Sequence, residues 1–366
     1  MTVTSAITKP VPDFHELVVK TVDRIIEDAV AITFDVPDEL RDRYAFAPGQ
    51  HLTIRRFEDG QEIRRSYSIC SSPLSGQLRV AVKSVPDGVF SSYALNSLRA
   101  GDSLDVMAPA GTFTTALDPQ RSRHYALIAA GSGITPILSL AAAALEVEPQ
   151  SRVTLVFGNR STSTIMFLEE IADLKDTYAD RFQWINVLSR EVTPIEMLSG
   201  RIDPERMATI SEALLPLDDV DDWFLCGPFE MVTGVRDWLV ASGAPAKSVH
   251  FELFHVEAAP RPRKERAAVA AAEDLSKITI ILGGLASSFD LERDTVPILD
   301  AALEIRGDLP FACKGGVCGT CRCKIIEGEV EMDVNYALEP DELDRGIRLA
   351  CQSHPLTDTV TVDFDI

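Results

Sequence analysis

Four cysteines constrain this chain more than any other feature. In FACKGGVCGTCRCKI, residues 311–325, Cys313, Cys318 and Cys321 share one short loop, and with Cys351 they form the spacing C-x4-C-x2-C-x29-C. Whatever the fold, one loop must supply three thiolates and a separate element must deliver the fourth. A [2Fe-2S] cluster takes such a ligand set. Structural zinc is the alternative, but its ligands usually come as two close pairs with internal gaps of about two to four residues. The x4 gap and the distant Cys351 suit that poorly. Gly315, Gly316 and Gly319 are expected to supply positive-φ turns and to let backbone N–H groups approach the sulfurs. Cys323 is expected to face away from Cys321 as a small buried side chain.

The rest of the chain must account for what feeds such a center. At 366 residues it exceeds one ordinary core, so two or three domains are expected. A formal charge of -21 argues strongly against a phosphate-backbone partner, which needs a basic face. From Lys277 onward 8 Lys and Arg stand against 17 Asp and Glu, a net of -9. That is either a docking face for a basic protein or a plain solvated surface. The start, MTVTSAITKPVPDF, has neither a basic nor an apolar leader region, so no secretory signal is expected. Residues 126–145 have the length of a membrane span, yet Gly131, Ser132, Gly133, Thr135 and Pro136 interrupt them. A buried strand, turn and helix are expected there, with no membrane partner. Seven cysteines without a leader read as ligands or buried thiols, which points to the cytoplasm.

Two rhythms divide the first 256 residues. ELVVKTVDRI, AVAITFDV, HLTIRRF, EIRRSYSIC, LRVAVKSV and SLDVMAP are six short β-rich runs separated by turn residues, with one helix at SSYALNSL. They predict an antiparallel β-barrel over 12–117. From Tyr125 strand alternates with helix: HYALIAA, TPILSLAAAALEV, RVTLVFGN, TIMFLEEIADLKDTY, FQWINVLS, DWFLCGP and FEMVTGVRDWLVASG. This predicts an α/β domain with a parallel sheet over 118–256. Residues 257–276 are rich in Ala and mixed charge, with two prolines, and read as a linker. A hairpin, a helix, the cysteine loop and further strands follow over 277–366. The fold class is multidomain α+β.

The cysteine loop, the helix before it and LACQ at 349–352 closely resemble plant-type ferredoxins, which implies a β-grasp fold and a one-electron carrier. Upstream, PGQH (48–51), RRSYSI (64–69) and a Gly-x-Phe-Ser-Ser segment (88–92), with KSV between them, resemble the ferredoxin-NADP reductase family. That resemblance implies a bound FAD in a Greek-key barrel. It puts Arg65 at the flavin diphosphate, Tyr67 on the isoalloxazine ring and Ser68 near N5. Gly88, Phe90, Ser91 and Ser92 become a second diphosphate loop, and Ile69, Lys83 and Val85 complete the flavin contacts. A strand with an ordinary cross-strand Arg and Tyr is the bland reading.

AAGSGITP (129–136) follows a strand and opens a helix, where backbone N–H groups and the helix dipole suit a diphosphate. Gly131, Gly133, Thr135 and Pro136 are the nucleotide-binding candidates. After the next strand GNRSTS (158–163) offers Arg160 and Ser161 but no carboxylate for a ribose hydroxyl, so NADPH is expected over NADH, which stays possible. The family resemblance places Cys226, with Gly227 and Pro228, beside nicotinamide C4. It makes Glu252 and Phe254 the segment closing on the flavin edge, with Ser68, Cys226 and Glu252 as the catalytic set. A buried cysteine and a solvated carboxylate are the alternatives. The histidines sit in no nucleophile setting, and His15 and His124 are expected at the surface.

As a whole the chain resembles the reductase subunits serving bacterial ring 1,2-phenylacetyl-CoA epoxidases of aerobic phenylacetate degradation. RSYSIC, AAGSGITP, GNR, CGP, LPFACKGGVCGTC, NYALEPDEL and VDFD carry the resemblance. It implies FAD, NADPH and the di-iron oxygenase component of a multicomponent epoxidase as the electron acceptor. Reductases of other multicomponent oxygenases share this architecture.

Overall fold

The computed structural model describes residues 14–254, 275–293 and 295–366. It divides into two compact units, His15–Phe254 and His255–Ile366, the latter grouped with Met1–Phe14. Of the expected linker only Leu275 and Ser276 fall among the described residues, and they already belong to a strand.

The first unit starts with β1 (Phe14–Ile26), β2 (Ala29–Asp35), β3 (His51–Glu58), β4 (Gln61–Ser68), β5 (Leu78–Lys83), the helix α1 (Val89–Asn96) and β6 (Ser103–Met107). The six strands order as β4-β3-β6-β1-β2-β5. An antiparallel bridge from Ile69, just past β4, to Val80 of β5 joins the two edges and closes the barrel. Period-two alternation sorts side chains between two cores. Val30, Ile32 and Phe34 of β2 and Leu78, Val80 and Val82 of β5 fill the barrel. Ala29, Ala31 and Ala81, on the outer face, join a second core. Small residues there let another layer approach closely.

That layer is the α/β part: β7 (His124–Ala130), α2 (Ile134–Val147), β8 (Arg152–Asn159), α3 (Leu168–Thr177), β9 (Phe182–Leu188), α4 (Pro204–Leu214), β10 (Asp222–Gly227), α5 (Phe229–Ala241) and β11 (Val249–Leu253). Every strand pair is parallel and the order is β11-β10-β7-β8-β9. Chain direction across the sheet reverses between β7 and β10, the place where open α/β sheets bind ligands. The sequence pattern overran α3, which starts at Leu168 because Phe167 holds a left-handed backbone (φ 58°) and breaks the helix there. It also passed over α4, whose start is capped by Asp203 accepting from Arg206 N–H. His124, expected at the surface, is 8% exposed, with its ring nitrogens within 2.9 Å of Asp219 O and 2.8 Å of Thr154 Oγ1.

The second unit holds β12 (Leu275–Leu282), β13 (Leu285–Glu292), α6 (Ile298–Leu303), β14 (Arg322–Glu327), β15 (Val330–Met332), α7 (Pro340–Asp344), β16 (Ile347–Leu349), β17 (Ser353–Pro355) and β18 (Thr359–Asp363). Its main sheet orders as β13-β12-β18-β14-β16, mixed because β12 and β18 run parallel. Ile278, Ile280, Val360 and Val362 form its core with α6. Among the described residues no helix is long and apolar enough to cross a membrane.

One close approach fixes the first unit's geometry. A Cβ on Gly133 would lie 2.1 Å from Cys226 O, so the turn after β7 tolerates only glycine against the end of β10. Gly133→Ala is expected to destabilise this unit by about 1–3 kcal/mol. Gly234→Ala inside α5, whose added carbon meets only Pro204 at 3.4 Å, should stabilise it by about 0.5–1 kcal/mol. Chemical denaturation of the two variants checks the contrast.

Candidate functional site: two nucleotide cradles and a four-thiol loop

Arg65 and Tyr67 project from one face of β4 because they are two residues apart. Tyr67 packs on Phe90, with ring centroids 5.4 Å apart, and burial pushes its hydroxyl pKa up. Phe90 itself is 1% exposed and belongs to the barrel core. Ile69 is fully buried and its N–H donates to Gln50 O. Ser91 is buried too, and its hydroxyl donates to Gly88 O at 3.0 Å. These three therefore shape the cradle from behind. Ser92 and Val85 are exposed, and Lys83 Nζ sits 3.7 Å from Asp28. Gly88 precedes α1, which has no side-chain cap and no acid in its first turn. The first N–H groups of that helix are thus open to an anion.

The second cradle repeats this logic. Gly131–Gly133 turn into α2, again without a side-chain cap or a first-turn acid. Gly131 has φ 54°. Thr135 and Pro136 are buried, and Thr135 Oγ1 donates to Ser132 O at 3.1 Å, so both hold the turn. Arg160 is exposed and Ser161 half-buried at the end of β8. Arg190 N–H donates to Arg160 O at 2.8 Å, which sets a second exposed arginine beside the first. The GNRSTS segment itself holds no carboxylate. The fold brings one from thirty residues on: Glu191 accepts from Thr162 N–H at 2.7 Å and from Thr162 Oγ1 at 2.9 Å. Polar residues closing β9 of a parallel sheet were the available signal for Ser189, Arg190 and Glu191.

The two cradles meet at Cys226 and Glu252. Parallel pairing of β10 with β11 makes them direct neighbours, and Ser68 Oγ donates to Glu252 Oε2 at 3.1 Å. So the fold brings together three residues separated by up to 184 positions. Cys226 is fully buried, which pushes its thiol pKa well up and keeps it neutral. Glu252 is partly open to the crevice, but desolvation of its carboxyl group pushes its pKa up to about 8, opposed by the Ser68 hydrogen bond. Gly227 and Pro228 turn the chain away, and Phe254 packs on the shared core.

In the second unit the four thiols stand in two neighbouring pairs. Cys318 and Cys313 hydrogen-bond, which pulls the Cys313 thiol down to about 5, and Cys321 pairs likewise with Cys351. β14 pairs with β16, and Ala350 N–H donates to Cys321 O, which delivers the fourth cysteine to the loop. Gly315 N–H points at Cys313 Sγ (3.4 Å), Thr320 N–H at Cys318 Sγ (3.5 Å) and Gln352 Nε2 at Cys351 Sγ (3.5 Å). Donors aimed at sulfurs suit thiolates bearing cluster charge. Among the described residues no three His, Cys, Asp or Glu side chains gather as around one metal ion. Two pairs of sulfurs fit two irons better than one zinc. Gly316 and Gly319 have positive φ as expected, but Gly315 does not; Lys314 takes that conformation instead (φ 52°). Its ammonium pairs with Asp300 at 2.7 Å, and Gln352 Nε2 donates to its carbonyl. Cys323 is fully buried as expected, but in the same core as Cys321 and Cys351 rather than on an opposite face, since residues two apart along a strand share a side.

These features define a class: NAD(P)H-dependent flavin and iron–sulfur reductases. Family models agree in chain order, an oxidoreductase FAD-binding domain matching residues 16–115, an oxidoreductase NAD-binding domain 127–237 and a 2Fe-2S iron-sulfur cluster binding domain 281–356. The chain is 45% identical to one subunit of the 1,2-phenylacetyl-CoA epoxidase of Escherichia coli (strain K12), over 96% of this chain and 98% of that protein. It is 32% identical to the ferredoxin reductase component of 3-ketosteroid-9-alpha-monooxygenase from Rhodococcus rhodochrous, over 98% and 99%. The solved structure of phthalate dioxygenase reductase shares the fold, with TM-score 0.58 and 21% identity over 96% of this chain and 98% of that one. The chain belongs to the family of the 1,2-phenylacetyl-CoA epoxidase reductase subunit. It is an electron-transfer oxidoreductase whose cofactors are FAD, NAD(P)H and a [2Fe-2S] cluster.

The raised Glu252 pKa has a consequence for stability. Between the ordinary 4.5 and about 8 the folded protein keeps a proton that the unfolded chain releases, so stability falls as pH rises through that window. Glu252→Gln should flatten this slope in denaturation of the flavin and nucleotide unit at a series of pH values.

Proposed function

We propose that this chain takes electrons from NADPH and delivers them, through FAD and the cluster, to the di-iron oxygenase component of an epoxidase acting on phenylacetyl-CoA. The observation that carries this is 45% identity along nearly the whole length of a 1,2-phenylacetyl-CoA epoxidase subunit. When bound, FAD takes an electron pair and the cluster passes electrons singly. The chain's own residues bind, orient and insulate. Arg65 and the open end of α1 hold the flavin diphosphate, with Ser92 at its rim, and Tyr67 stacks on the ring. Gly131, Gly133 and the start of α2 hold the nicotinamide nucleotide's diphosphate. Cys226 packs beside nicotinamide C4, and Ser68 with Glu252 keeps a proton at the flavin edge. Cys313, Cys318, Cys321 and Cys351 hold the cluster.

Three further assignments follow the same reading. The flavin, nucleotide and ferredoxin domains span 12–117, 118–256 and 277–366, and the connecting segment 257–276 runs into β12, which opens at Leu275. Seven free cysteines support a cytoplasmic location. Two adjacent exposed arginines in so acidic a chain support NADPH over NADH, since both oxygens of Glu191 are already engaged by Thr162. Arg160→Ala or Arg190→Ala should therefore raise KM for NADPH by roughly 10–100-fold, the worth of one charged hydrogen bond, and change that for NADH little. Steady-state kinetics with both nucleotides check it, and equal effects would remove the preference.

Reconstitution tests the acceptor. The purified reductase should support epoxidation by the phenylacetyl-CoA oxygenase component and not by a ketosteroid oxygenase. Cys318→Ser should abolish that delivery while leaving NADPH oxidation by ferricyanide, which draws on the flavin. Unimpaired epoxidation by Cys318→Ser would contradict the route through the cluster.

A further inference from the structure

The seam between barrel and nucleotide sheet carries an ion pair that the reaction so far leaves unused. Arg79, on the outer face of β5, places Nη1 and Nη2 each 3.2 Å from Glu170 Oε1 in the first turn of α3. Its guanidinium also lies 5.2 Å from the ring centroid of Phe167. Phe167 is buried and is one of four non-glycine residues with positive φ among those described. Such a conformation persists only where surrounding contacts enforce it. Beside the pair the barrel gives the seam the small side chains Ala29, Ala31, Cys70 and Ala81, with the larger Ile25, Ile26 and Phe113 in the same core. Apolar burial is non-directional, so a directional contact such as this pair adds what the core lacks in fixing the angle.

Arg79 is well placed to do so. Cys70 N–H donates to Arg79 O at 2.9 Å, and the neighbouring pair Ile69 and Val80 closes the barrel. Arg79 is thus laddered to the residue two beyond Ser68. On the other side Glu170 lies ten positions beyond Arg160. A second tie lies at α2, where Ser139 Oγ donates to Ser71 O at 2.7 Å. That one is wholly buried, whereas the Glu170 side chain is 40% exposed.

We propose that Arg79, Glu170 and Phe167 form a positioning clamp that fixes the nucleotide sheet on the barrel at the angle hydride transfer requires. This rests on the reading of the crevice as the place where NADPH is oxidised to NADP+ while FAD gains the hydride and a solvent proton. The clamp touches neither cofactor. It acts through β5 and α3, and transfer is steep in distance and alignment, so a shift of about 1 Å can cost up to about 100-fold.

The test uses the full-length holoprotein. Arg79→Ala and Glu170→Gln should each slow single-turnover flavin reduction by NADPH about 10-fold. They should also weaken the long-wavelength charge-transfer absorbance that precedes reduction and leave the dissociation constant for 2',5'-ADP unchanged. Amide exchange at Glu169–Ile171 should quicken. The double variant should be no slower than either single one, and Arg79→Lys should retain most of the rate. Unchanged reduction and absorbance in Glu170→Gln, or losses that multiply in the double variant, would overturn the clamp; Glu170→Gln and Arg79→Lys carry the test if Arg79→Ala fails to fold. A wild-type protein that neither NADPH nor NADH reduces would sink the underlying reading instead, and the exchange measurement still decides whether the pair ties the seam.

Discussion

The contact of Gly133 with the Cys226 carbonyl is the constraint on which the first unit depends. It is a backbone-to-backbone approach that no side chain could enter, made where the parallel sheet reverses its winding. With the two turns locked, the open end of α2 and the Cys226 segment face the same crevice. Pairing of β10 with β11 then presents Glu252 beside Cys226, and Ser68 completes the group from the barrel. A site assembled this way has its geometry in strands and turns, and its few reactive groups need only be carried on them.

The division of labour among polar groups follows from the same economy. Ser91, Thr135 and Ser139 spend their hydroxyls on nearby or cross-seam carbonyls. Buried hydroxyls must be satisfied, and a backbone carbonyl is the nearest partner. What a diphosphate can meet is the uncapped start of α1 at the first cradle and the uncapped Gly131–Gly133 turn at the second. Glu252 differs, because the Ser68 hydrogen bond does not offset the desolvation of its carboxyl group, which so retains its proton near neutral pH.

The thiol loop solves a different problem, that of holding four charged sulfurs on a small domain. Backbone N–H groups and the Gln352 amide point at three of them, and Lys314 in a left-handed turn carries a nearby positive charge anchored on Asp300. Gln352 also closes the loop by donating to the Lys314 carbonyl. The fourth ligand and the other three are therefore joined by a hydrogen bond as well as by pairing of β14 with β16.

Much of this is readable in one dimension. Cysteine spacing, the change from period-two runs to alternating strand and helix, and glycine turns placed after strands are local signals. They identify the barrel, the parallel sheet, the two diphosphate turns and the four thiol positions. Phe90, Ser91 and Thr135 do belong to those segments, but no local pattern tells a residue that faces a cavity from one that supports it. Only tertiary structure decided which distant groups touch: the Ser68 hydroxyl on the Glu252 carboxyl group, Arg190 and Glu191 beside the Arg160 loop, and Arg79 against Glu170 and Phe167. Sequence records which residues follow one another, whereas these contacts depend on how strands are ordered in a sheet and which faces two layers bury.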